Sequence, residues 1–256
     1  DANGGARSLC AQIAGAGFPN LRHFVEPRRG LSCVRNRLLE EALRTGAEFL
    51  AFLDDDELPD PDWLALHLQA LEATGADVSS GPVTQLPPGS AAAAAATAGP
   101  SAPPVPRYVA CNNVVFRCRL AAEQGLRFDA QFNFTGGEDF DFFESSRRQG
   151  NRHIWTAGAR VHEPQPRERA TLGYLFHRHF SGAITRVMQE RKWRPGVGVW
   201  LRFLVKSCGK ILGGSVCLAR ALLPPHRSAL CAGIKCYASA CGYLCGLLHL
   251  RAERYR

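Results

Sequence analysis

The chain has no Cys-x-x-Cys pair, no secretory-leader pattern and no recognised module of basic and aromatic residues that reads nucleic acid. The first absence matters because ten cysteines are present. A disulfide framework serves small secreted domains, and this chain has 256 residues. Six of the ten (Cys208, Cys217, Cys231, Cys236, Cys241 and Cys245) lie in an apolar C-terminal tract. The expectation is therefore reduced thiols packed as small apolar groups in a cytosolic protein. The third absence argues against nucleic acid as the counterpart of a net charge of +8. Nucleotide phosphates and an anionic lipid surface remain for that charge.

What is present is an alternation of helix and strand signals. "ARSLCAQIAGAG" reads as a short helix, "LRHFVEP" as a strand, and "SCVRNRLLEEALRTG" as a helix capped by Ser32 and ended by Gly46. "AEFLAFL" is a continuous apolar strand of the kind buried in a parallel sheet. "PDWLALHLQALEATG", "ADVSSGPV", "YVACNNVVFRC", "RLAAEQG", "GGEDFDFFESSRRQG" and "NRHIWTAGARVHEP" continue the pattern, which predicts an α/β fold. Residues 87 to 106, rich in Ala, Pro and Gly, read as a surface loop. The chain opens on "DANGGAR", polar and Gly-rich like a loop leaving a strand, and is read as N-terminally truncated.

Two acidic clusters stand out. Asp54, Asp55 and Asp56 follow the apolar strand directly. On an extended chain Asp54 and Asp56 project to one side, and the carboxyl end of a sheet strand is where α/β sheets bind ligands. Oxygen ligands of this kind suit Mg²⁺ or Mn²⁺; a solvated acidic turn before Pro59 is the other reading. In "GGEDFDFF", Gly136 and Gly137 allow close backbone approach to a ligand. They put Glu138 and Asp139 at the start of a helix, where one carboxylate can serve as general base. Acids also favour a first helical turn through the dipole, which is the plainer reading of Asp141.

"GLSCVRN", "FLAFLDDDELPDPDWL", "CNNVVFR", "GGEDFDFF" and "IWTAGARVHEPQPRER" together, in this order, resemble family 2 glycosyltransferases of the GT-A fold. The similarity is to the bacterial exopolysaccharide enzymes of succinoglycan type, over roughly residues 1 to 190. The resemblance implies a nucleotide-diphospho-sugar transferase fold: a Rossmann-like, mostly parallel sheet flanked by helices, here with a helical C-terminal appendage. It implies inverting transfer of a sugar to an acceptor hydroxyl on a lipid-linked or growing polysaccharide, with a divalent cation, Mn²⁺ or Mg²⁺. In that scheme Asp54 and Asp56 match the family's DxD and hold the metal. Asp139 is the base, with Glu138 as runner-up or orienting partner. Asp1, Arg35, Asp54 and Asn113 face the donor, and His162 is the third metal ligand, with Glu163 as alternative. Asn112 stands where the family has glycine. Two other functions stay open: a metal-dependent nucleotidyltransferase, which would also use Asp54 and Asp56, and a truncated, non-catalytic relative.

The domain expectation is a catalytic region over 1–190 and a helical, apolar and basic region over 191–256. Arg169, His177 and Arg178 are expected to face a phosphorylated acceptor. Arg202, Lys206 and Lys210 form a basic stripe on an apolar helix, the composition of a helix lying in an anionic membrane surface. "SALCAGIKCYASACGYLCGLLHL", with Gly242 and Gly246 four apart, is long enough to span a bilayer; a helical pair packed on the catalytic region is the alternative. The expected location is the cytoplasmic face of the inner membrane.

Overall fold

The computed structural model describes residues 4–86, 108–164, 171–222 and 226–250. Asp1, Arg169 and the alanine-rich loop expected at 87–106 lie outside these ranges. The described elements run α1 (Arg7–Gly15), α2 (Leu31–Arg44), β1 (Phe49–Leu53), β2 (Leu58–Pro59), α3 (Trp63–Thr74), β3 (Val78–Ser80), β4 (Val83–Leu86) and β5 (Asn113–Arg117). They continue with α4 (Arg119–Ala122), a 3₁₀ turn at Ala130–Phe132, α5 (Glu138–Arg148), β6 (His153–Trp155), β7 (Val161–Pro164), α6 (Leu172–Trp193), α7 (Val197–Ala221) and α8 (Arg227–Leu247). The α/β class is as expected.

Two local expectations fail for identifiable reasons. The strand expected at Leu21–Pro27 is absent, since the segment joins no ladder. There Glu26 instead accepts hydrogen bonds from the backbone N–H and guanidinium of Arg28. Helix α2 is preceded by Gly30 at its N-cap rather than by a Ser32 cap. Gly30 has φ 111°, and a Cβ there would lie 2.2 Å from the Asn133 amide, so only glycine fits. The Ser32 hydroxyl lies inside the first turn and donates to the Asp129 carbonyl at 2.9 Å.

The principal sheet has the order β1-β5-β3-β6, and a second has β2-β7-β4. β5 runs antiparallel to both β1 and β3, while β3–β6 and β4–β7 are parallel. The sheets are therefore mixed, and the mostly parallel arrangement is corrected. β1 pairs only with β5 among the described strands, and Phe52 alone of its residues is buried. An apolar run cannot by itself distinguish an edge strand from a central one.

The strand period of two divides the core into two layers. Val114 and Phe116 pack with Leu39 of α2, Phe128 and Phe142 of α5, where Phe128 and Phe142 stack with centroids 4.4 Å apart. Val115 points to the opposite face, against Trp63 and Leu71 of α3 and Val161 of β7. The first layer holds α2 and α5 together beside the end of β1, which positions both acidic clusters.

A third cluster, Val187, Val199, Phe203 and Leu247, joins α6, α7 and α8. Residue 190, the expected end of the catalytic region, lies inside α6. The small residues of α8 allow close helix packing: a Cβ on Gly242 would lie 2.3 Å from the Phe180 carbonyl oxygen, and one on Gly246 would lie 2.9 Å from Val187. Among the described residues α8 is the one helix that by length and composition can cross a membrane, yet it is packed on both α6 and α7. The more exposed apolar face belongs to α7, where Leu201, Val205, Leu212 and Val216 are 64–69% exposed, opposite the buried Phe203, Ser207 and Gly214. All ten cysteines are free thiols, in line with the reduced state expected.

Candidate active site

Strand β1 ends at Leu53, and Asp55 and Asp56 lie in a turn. The extended geometry that aligned Asp54 with Asp56 therefore stops at Asp54. The turn is closed by Glu57, whose N–H donates to the Asp54 carbonyl at 3.3 Å and whose carboxylate accepts from the Asp54 N–H at 3.2 Å. Asp54, Asp55 and Asp56 are all exposed. Neighbouring atoms nevertheless strip water from the Asp54 carboxyl; this raises its pKa, Arg35 opposes the rise, and Asp56, Asp55 and Asp139 add to it. One turn thus holds three like charges within each other's fields.

The second cluster sits on α5. Gly137 caps the helix at φ 92°, and a Cβ there would lie 2.4 Å from Thr185 and 2.6 Å from Gln189 of α6. The Gln189 amide donates to the Gly137 carbonyl at 3.1 Å, and the Thr185 hydroxyl to the Thr135 carbonyl at 3.0 Å. Gly137 thus lets α6 press against the helix start, which holds Glu138 and Asp139 in place. Glu138 is 2% exposed. Asp139 is half-buried, and its Oδ1 accepts from the Phe140 N–H at 2.7 Å. Asp141 is buried and bound to Lys192 Nζ at 2.8 Å, so its role is to tie α5 to α6.

Arg35 connects the two clusters. Its guanidinium is ion-paired with Glu138. Burial disfavours its charge, but the fields of Cys111, Glu138, Asp139 and Asp54 outweigh this and raise its pKa. Arg35 therefore lies among carboxylates from both clusters rather than on the solvated face of α2.

The other predicted residues separate. Asn113 is 2% exposed and turned inward. Its Oδ1 accepts from Trp63 Nε1 at 2.7 Å and lies 2.9 Å from His67 Nε2, while Nδ2 donates to the carbonyls of Pro82 and Ala159. Every polar position of that amide is taken within the protein, and in this structure Asn113 serves as a core tie. Asn112 is the one that reaches the turn carrying the aspartates, donating to Glu57 at 3.1 Å. His162 is 1% exposed in β7, with Nε2 3.0 Å from Asp60, which also pairs with Arg160. Among the described residues no three His, Cys, Asp or Glu side chains gather to hold a metal, so His162 is not brought together with Asp54 and Asp56. Arg178 is exposed and donates to the Tyr174 hydroxyl.

Glu57 is the residue that sequence reasoning missed. It is 7% exposed. Its pKa is pushed up to about 7, chiefly by burial and further by the Asp54 charge, with the hydrogen bonds from Asp54 and Asn112 opposing. The signal was present: a fourth acid directly after the aspartates, followed by Leu58 and Pro59.

Three comparisons bear on the family and the fold. The model of "Glycosyl transferase family 2" matches residues 3–96. The chain is 34% identical over 185 residues to the succinoglycan biosynthesis protein ExoM of Rhizobium meliloti (strain 1021), covering 64% of this chain and 55% of that protein. The chain thus spans about half the length of this curated relative. In three dimensions it is similar to the mannosyltransferase PcManGT of Pyrobaculum calidifontis, a structure in complex with GDP-Man and Mn²⁺. The TM-score is 0.54 at 16% identity, over 94% of this chain and 74% of that one. The fold is that of a GT-A glycosyltransferase, and the family 2 resemblance carried by the motifs is borne out.

Proposed function

We propose that this chain, with its family 2 match and GT-A fold, is an inverting glycosyltransferase that moves a sugar from a nucleotide-diphospho-sugar to an acceptor hydroxyl. The observation that carries the proposal is the position of Arg35, paired with Glu138 and lying in the fields of Asp54 and Asp139. It gathers the two clusters, one suited to a cation and one to a proton, around a single point.

Asp54 and Asp56 fit a divalent cation. They offer exposed oxygen ligands crowded by like charge, and hard cations are commonly held by one or two carboxylates together with substrate phosphates. When bound, Mg²⁺ or Mn²⁺ supplies charge stabilisation to the departing diphosphate. The chain's own residues do the rest. Asp139 accepts the proton of the acceptor hydroxyl as that oxygen attacks the anomeric carbon from the face opposite the leaving group, which inverts the centre. The Phe140 N–H holds the carboxylate at Oδ1. Arg35 holds Glu138 in place beside the base through their ion pair. Glu57 and Asn112 brace the turn that presents Asp54 and Asp56.

The similarity to ExoM supports a glycan acceptor, lipid-linked or on a growing polysaccharide. The exposed apolar face of α7, flanked by Arg202, Lys206 and Lys210, supports seating on the anionic cytoplasmic surface of a membrane.

The test is incubation of the protein with Mn²⁺ or Mg²⁺ and a panel of nucleotide sugars. Release of nucleoside diphosphate is expected. Release of pyrophosphate instead would assign a nucleotidyltransferase, and no release from any donor would leave a non-catalytic relative.

A further inference from the structure

We propose that the cavity of about 340 Å³ between α5 and α6 is the acceptor pocket, and that it takes a sugar bearing an anionic group. This rests on the transferase reading, since it adds an acceptor class to the same site. Asp139 stands in the cavity wall, so a ligand there lies beside the proposed base. The volume is at the small end of ligand pockets, which suits a sugar unit rather than an extended chain. Tyr108, Phe140 and Trp193 line it, with the Tyr108 and Phe140 rings edge-to-face at 4.6 Å, and such apolar faces suit the C–H faces of a pyranose.

The charges decide the ligand class. Of the three lining acids, Asp139 is the proposed base, held by the Phe140 N–H, Glu144 is paired with Arg147 and Arg148, and Glu190 with Arg202 at 3.0 Å. Among the described residues, the lining arginines Arg186 and Arg194 form no ion pair with a carboxylate. Arg186 is held in place by its donation to the Tyr108 hydroxyl at 3.2 Å, with its guanidinium 5.7 Å from that ring's centroid. A fork held in this way matches a phosphate or a carboxylate. A larger cavity near Lys192 and Arg191 is a poorer candidate: Asp139 does not line it, and Lys192 is committed to Asp129 and Asp141.

The experiment titrates the intact protein, by calorimetry or intrinsic fluorescence, with glucose 1-phosphate, methyl glucuronide, methyl glucoside and inorganic phosphate. A charge-assisted hydrogen bond corresponds to roughly tenfold to hundredfold in affinity. At least one anionic sugar should therefore bind about tenfold or more tightly than the neutral glucoside, and the pair of arms identifies phosphate or carboxylate as the group read. The double variant Arg186→Gln/Arg194→Gln should bring anionic and neutral sugars to within about twofold. Arg186→Lys in the Arg194→Gln background should restore part of the preference, which a merely structural loss would not do. Equal binding of neutral and anionic sugars, or a preference that survives in the double variant, overturns the proposal. Inorganic phosphate binding as tightly as glucose 1-phosphate overturns it as well, because the sugar would then contribute nothing. Donor cleavage is measured separately, by nucleoside diphosphate release without acceptor. A protein that cleaves donor but shows no anionic preference loses the pocket alone, whereas one that binds anionic sugars and cleaves no donor loses the transferase reading.

Discussion

Arg35 of α2 and Glu138 of α5, 103 residues apart in sequence, are ion-paired with side chains only 13% and 2% exposed. Removing one partner of such a pair leaves an uncompensated buried charge, whereas removing both is far milder. Arg35→Met should therefore destabilise the fold by about 3–5 kcal/mol, and Arg35→Met/Glu138→Gln should recover most of that. Urea unfolding of both variants checks it; a stable single variant would mean that the pair is not closed in solution.

Asp56→Asn should reduce metal-dependent donor cleavage by about a hundredfold or more while leaving the thermal midpoint near that of the wild type, because the residue is exposed in a turn. EDTA should abolish wild-type cleavage, and Mn²⁺ should restore it. Wild-type turnover by the variant in EDTA would remove the carboxylates from the metal role.

Asp139→Asn should lower kcat by about 10²–10⁴ with donor affinity little changed, since a general base acts in the transition state. Calorimetric donor titration alongside kinetics separates the two effects. Equal losses of binding and turnover would make Asp139 a donor-site residue.

His153 lies in β6 with Nε2 3.1 Å from the Ser146 hydroxyl, and its pKa is lowered from 6.5 to about 4, first by burial and then by the Arg147 charge. The unfolded chain binds this proton more readily than the folded one. Stability is therefore undiminished above pH 6.5 and is lost as pH falls from there through about 4. The loss is at most about 3 kcal/mol. His153→Gln should flatten that limb of the stability–pH profile measured by chemical unfolding. An unchanged slope between those values would show that the imidazole is not buried as a neutral group.

The apolar face of α7 should hold the protein on anionic vesicles. Leu201→Glu/Leu212→Glu should abolish sedimentation with phosphatidylglycerol liposomes. Substituting Arg202, Lys206 and Lys210 with Gln should weaken it by less than the roughly 1 kcal/mol expected for each basic residue. Arg202 is already paired with Glu190, and Lys206 lies 4.9 Å over the Phe203 ring, so both are partly committed. Binding by the double-Glu variant that persists in alkaline carbonate would point to α8 as a span.

The aspartate run after an apolar strand, the Gly-Gly-Glu-Asp helix start and the helix pattern of the tail were all legible in the sequence, because each depends on neighbours within a few residues. So were the boundaries of α3 and α5, where Gly75 and Gly137 adopt positive φ. Contacts between distant segments were not. Whether β1 lay at an edge or in the centre of the sheet depended on β3 pairing with the far side of β5 rather than with β1. Whether Asn112 or Asn113 faced the site depended on which side of β5 the second layer covered. Glu57 looked like one more solvated acid, yet the packing of the turn against Asn112 buried it and raised its pKa. Arg35 was expected at the donor on the resemblance alone, and only the packing of α5 beside α2 placed its guanidinium between the two acidic clusters. Local propensity is written along the chain, whereas burial and electrostatic field are set by whatever the fold brings alongside.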